Sequence, residues 1–171
     1  MRTKRTRRLF VATAAGLLTL AVALPALAQT PATFEVTAGG LSVSMPSGTA
    51  NLGTRANTVS AGTVSGSLGQ VQVNDARSAA AGSVWTASVI SSAFGVVPAS
   101  AVAYTAGTIT KVGTAAYAAN DPTHLEGVIP AVSATGITGD NSATWNPTIT
   151  VTIPGGTPVG TYNATITHSV I

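Results

Sequence analysis

Apolar and polar residues alternate with a period of two in several short stretches of this 171-residue chain, and that period predicts β-strands. The pattern is cleanest in "PTITVTIP", where Ile149, Val151 and Ile153 fall on one face and Thr148, Thr150 and Thr152 on the other. "QVQVNDA" reads as a strand through Val71 and Val73, and "SVWTASVIS" as another through Trp85, Ala87 and Val89, with "RSAAAG" between them as a hairpin loop. Phe34, Val36 and Ala38 alternate with polar neighbours, as do Leu41, Val43 and Met45, and the intervening Gly39-Gly40 fits a hairpin or a bulge. Weaker strands are expected around "AVAYTA" and "TITKVG". "NLGTRANTVSAGTVSGSLG" holds too many turn formers for one strand, leaving short pieces at Leu52 and Val59 to pair at an edge. "AANDPTHLEG" reads as a loop and "ITGDNS" as a turn. Extended chain over residues 161–170 would put Tyr162, Ala164, Ile166, His168 and Val170 on one face.

No amphipathic helical stretch separates these strands, so the expected fold is all-β: an antiparallel β-sandwich, Ig-like or jelly-roll-like, forming a single domain over residues 29–171. The abundance of Thr, Ser, Ala, Gly and Val suits strands. Few large apolar residues could also mean disorder, but the alternation argues against it.

The first 28 residues carry a different message. "MRTKRTRR" is a basic segment, "LFVATAAGLLTLAVAL" an apolar one, and Ala26 and Ala28 fit a cleavage site that would start the mature chain at Gln29. This is the pattern of a removed signal peptide, of the ordinary secretory type or, through "TRRLFV", the twin-arginine type. Five of the eight basic residues lie in it. The remainder keeps Arg55, Arg77 and Lys111 against Glu35, Asp75, Asp121, Glu126 and Asp140, a net −2. The basic footprint of a nucleic-acid binder is therefore missing. No second apolar span follows, so no membrane span is expected after the signal is removed. Without cysteine there is no disulfide and no thiolate chemistry.

Catalytic signatures are sparse. There is no G-x-S-x-G elbow, two histidines leave little choice of base, and no glycine-rich loop has the strand and helix needed to hold a phosphate. Asp121, His124 and Glu126 lie within six residues, yet match neither a calcium loop nor a paired zinc spacing, so a solvated loop is the reading. No catalytic residue, cofactor or metal is assigned. Asp75 and Arg77 sit two apart at a strand end and are read as a turn pair that shapes the following loop. Asn163-Ala164-Thr165 matches a glycosylation sequon by chance, since it falls within a predicted strand.

"LGQVQVNDARSAAAGSVWTASVISSAF" and "WNPTITVTIPGGTPVGTYNATITHSVI" together resemble the WxL domain of Gram-positive secreted proteins. There, a strand ending in an Asp-x-Arg-like turn leads to a first tryptophan motif, and Gly-Thr-Tyr with an alternating strand leads to a second. The resemblance runs from about Leu68 onward and implies a β-rich cell-surface domain that binds peptidoglycan non-covalently, often beside partner surface proteins. This chain departs from the pattern in both motifs: it reads Trp85-Thr86-Ala87 at the first and His168-Ser169-Val170 at the second, as in a divergent, actinobacterial-type member.

The sequence thus predicts a secreted or cell-wall-associated protein that catalyses nothing and binds cell-wall glycan. The alternative is a structural or adhesive subunit that binds partner surface proteins. Trp85, Trp145, Tyr162 and His168 are the candidate ligand or motif residues. The tryptophans could serve as exposed ring platforms for sugar or as core, and His168, on the apolar face of its strand, is read as a packing residue with one bonded ring nitrogen.

Overall fold

A computed structural model describes residues 33–37 and 39–171; the expected signal peptide and Ala38 lie outside the described residues. From Val36 onward the chain forms one compact unit. It is all-β, with two antiparallel sheets forming a β-sandwich that does not close into a barrel.

Strands form where apolar residues can alternate into a shared interior. β1 (Leu41–Ser44), β3 (Val71–Ser91), β6 (Ile129–Trp145) and β5 (Thr110–Ala119) lie side by side in the order β1-β3-β6-β5, and β8 (Ile166–Val170) also pairs with β3. The second sheet is β2 (Gly62–Ser67), β7 (Thr148–Ile153) and β4 (Val102–Thr105), with β7 in the middle. Val71, Val73, Trp85 and Val89 from β3, Ile137 and Trp145 from β6, Ile149 and Val151 from β7, and Val102 and Tyr104 from β4 fill the core between them.

Two expected turns are instead strand. "RSAAAG" makes no hairpin, because the chain runs on as the single strand β3, and "ITGDNS" lies inside β6, its partner. From Asp75, opposite Asn141, to Trp85, opposite Ala134, β3 takes ten residue steps where β6 takes seven. The surplus is taken up in bulges. Ser78 (φ 52°) and Gly82 (φ 85°) bend β3, while Gly136 and Gly139, also at positive φ, bend β6. Small residues and glycine, which suggested turns, here let two long strands coil together while Ile137 still reaches the core.

Other expectations also shift. β2 falls inside the stretch judged too rich in turn formers, whereas Leu52 and Val59 join no strand. Its register on β7 explains this: Gly62, Val64 and Gly66 turn inward, and Gly66 lies against Leu52 and Asn51, where a Cβ would come within 2.9 Å of backbone. Gly39 and Gly40 form no hairpin but carry the β1 pairing on to Ala76. Phe34 to Thr37 are not strand. In the closing segment the alternation of burial persists from Tyr162, but the ladder covers only Ile166–Val170.

The loop 120–128 is more than a solvated connection. Its Leu125 is completely buried, its Pro122 carbonyl accepts the Tyr104 N–H, and the Asp121 carboxylate accepts the Ala106 N–H at 2.8 Å. The loop therefore covers the outer edge of β4, which would otherwise present unpaired backbone. Among the described residues no helix is long and apolar enough to cross a membrane.

Candidate functional site

The buried half of the structure holds two polar chains, each built around one of the tryptophans. Asp75 faces inward from β3 and is fully buried. Arg77, two residues on and therefore on the same side of the strand, donates Nε–H to Oδ1 at 2.8 Å and Nη2–H to Oδ2 at 2.9 Å. Asn141 of β6 donates its amide to Asp75 Oδ2 at 3.0 Å, and this fixes its Oδ1 toward the Trp85 Nε1–H, which it accepts at 3.0 Å. Tyr117 of β5 donates to the same Oδ1 at 3.2 Å, with its ring 5.7 Å from that of Trp85. The Arg77 guanidinium holds the Asp75 carboxyl below its ordinary pKa, against the opposing effect of burial. Asp75 and Arg77 thus pair with each other as their spacing allowed, with Asp75 fully buried and Arg77 36 % exposed, and Arg77 also reaches the Val84 carbonyl at 3.4 Å across the following segment. They anchor a relay that gives the core tryptophan its hydrogen-bond partner.

The second chain runs Trp145, Tyr104, His168. Trp145 donates Nε1–H to the Tyr104 oxygen at 2.6 Å, and that hydroxyl lies 3.1 Å from His168 Nε2. Since the tyrosine oxygen already accepts from tryptophan, its own proton is directed to His168, which makes Nε2 the acceptor and places the ring proton on Nδ1. Nδ1 is buried and has no partner among the described residues. Burial lowers the His168 pKa to about 4 and pushes that of Tyr104 well above the usual phenol range. Among the described residues the Tyr104 hydroxyl is the one hydrogen-bond partner of the His168 ring, and no carboxylate bonds to that ring.

These contacts correct the ring-platform expectation. Trp85 is 1 % and Trp145 2 % exposed, so neither can stack on a sugar in the folded protein. Tyr162 is half-buried outside β8, where its hydroxyl donates to the Pro158 carbonyl at 2.6 Å and its ring covers Gly95. His168 and Tyr162 share the direction of burial but not a site.

Around Asp121 and His124 there is a shallow cavity of about 440 Å³ lined also by Pro122, Ile129 and Pro130. Glu126 does not line it, and Asp121 is committed to the Ala106 N–H. Among the described residues no three His, Cys, Asp or Glu side chains converge in a way that could hold a metal ion.

The exposed face of the smaller sheet is the remaining candidate. Strand register puts Thr63 beside Thr152, Ser65 beside Thr150, and Ser67 beside Thr148, which faces Thr105 on its other side. Ser65 and Thr150 hydroxyls lie 3.1 Å apart. No charged residue occupies these positions. The result is a neutral lattice of hydroxyls spaced about 4.8 Å across the strands and about 7 Å along them. Sequence reading found the β7 row but missed the β2 row, since glycine at alternate inward positions concealed its period.

No family model matches the chain, and no curated protein or solved structure is significantly similar to it.

Proposed function

We propose that this protein is an exported, non-catalytic surface protein that binds cell-wall glycan non-covalently, through the hydroxyl face of β2, β7 and β4. The observation that carries the reading is that uncharged lattice. Hydroxyls donate to and accept from sugar hydroxyls, while threonine methyl groups offer apolar contact to the C–H faces of sugar rings. The leader pattern of residues 1–28 and the resemblance to WxL domains support the same setting. With Trp85 and Trp145 enclosed, affinity would come from many weak polar contacts repeated along a polymer, a mode in which multivalency supplies strength.

Incubating the mature protein with purified cell-wall sacculi tests this. Retention in the pellet at moderate salt is the expected result, and Ser65→Asp with Thr150→Asp should release the protein while leaving its circular dichroism unchanged. Recovery of the native protein in the supernatant would overturn the proposal. A second reading, a subunit that binds partner proteins, draws support from the open strand edge of β5.

A further inference from the structure

Residues 34–37 have strand character without a strand. Phe34 and Val36 alternate with Glu35 and Thr37, and the two apolar side chains are 92 % and 84 % exposed. The arm continues from β1, whose pairing with β3 stops at the bond from Gly39 N–H to the Ala76 carbonyl. It cannot simply extend along β3, because Ser78 turns that strand at φ 52° and commits its N–H to Asp140 Oδ1 at 2.8 Å.

On the opposite side of the same sheet lies an acceptor. β5 ends the order β1-β3-β6-β5, and among the described residues nothing pairs its outer edge. Asn120 donates its N–H inward to the Ala131 carbonyl of the neighbouring β6 chain, so by antiparallel alternation the N–H and C=O groups of Tyr117 and Ala119 point outward. Ala115 and Tyr117 are half-buried on the core side, and their neighbours on the other face are exposed. A strand laid beside β5 would set its alternate side chains against Ala115 and Tyr117. Phe34 and Val36 suit that side, and Glu35 and Thr37 suit solvent.

The arm cannot reach β5 of its own copy. Three strand spacings separate β1 from β5, about 14 Å, while the two Cα steps from Gly39 to Thr37 reach no more than about 8 Å. We propose that residues 34–37 of one copy add as a strand to the outer edge of β5 in a second copy. Each copy then has one donor and one acceptor on opposite edges, so the contact is head to tail and generates an open chain of subunits. This goes beyond the glycan reading and does not depend on it.

Light scattering on the mature chain over a range of concentrations tests the proposal. Mass should rise in steps of one subunit. Phe34→Asp with Val36→Asp should leave only monomer, and that variant, its β5 edge intact, should still bind a synthetic peptide of residues 30–40. Ala119→Pro, which removes one outward N–H and no bond to β6, should abolish peptide binding. A wild-type protein that stays monomeric at every concentration overturns the proposal, as does a double-aspartate variant that associates like wild type or ignores the peptide.

Discussion

Acidification should destabilise this fold through His168 alone by an amount that can be worked out in advance. The residue is 8 % exposed, and its pKa falls from 6.5 to about 4 because burial penalises the charged ring. A base whose pKa is lower in the folded than in the unfolded state binds fewer protons when folded. Its contribution is therefore intact above about pH 6.5, declines as pH falls, and is fully lost below about pH 4. The difference between the two values corresponds to about 3 kcal/mol, a large share of the roughly 5–15 kcal/mol that holds a domain together. Geometry reinforces the desolvation. Protonating Nε2 would aim a second donor at the Tyr104 oxygen, which already accepts from Trp145, and would leave the tyrosine proton without an acceptor.

Urea denaturation of the mature protein and of His168→Gln, between pH 7 and pH 4, isolates the effect. The other titrating groups are common to both proteins and cancel in the difference. Wild-type stability should fall toward, or below, that of the variant as pH drops, the gap changing by about 3 kcal/mol. A gap that stays constant across this range would refute the buried, neutral assignment, and so would an imidazole that titrates near its ordinary value by NMR.

Three further outcomes follow from the same contacts. Tyr104→Phe removes the hydroxyl shared by Trp145 and His168, leaving two buried polar groups unpaired, and should cost about 2–5 kcal/mol in urea denaturation; a loss under about 1 kcal/mol would show that the relay carries no stability. Asp75→Asn should weaken the fold at neutral pH and flatten the acid limb of its stability profile. The carboxyl lies below its ordinary pKa, so its contribution is present above that value and lost as pH falls through and beneath it. Leu125→Ala should cost about 2–5 kcal/mol by thermal or chemical denaturation, as for any enclosed leucine, whereas a solvated loop would tolerate the change.

The strands easiest to read were those whose side chains obey period two without interruption. β7 matches "TITVTI" residue for residue, because it is the central strand of its sheet and each inward position is an Ile or Val. β3 was legible only at its ends, and no part of β6 was read as strand. Between Asp75 and Trp85 the long-range pairing, not the local sequence, decides that Ala, Ser and Gly form a bulged strand, and no local pattern distinguishes such a bulge from a turn. Asp75 shows the same limit. Its spacing from Arg77 was visible, but its burial depends on Asn141, 66 residues away. His168 was placed on the apolar face by alternation alone, yet its partner Tyr104 lies on a strand of the other sheet. His168 thus takes, at Nε2, a hydrogen bond from a phenol already bound to Trp145. That bond links the two sheets, which makes the closing strand β8 sensitive to acid.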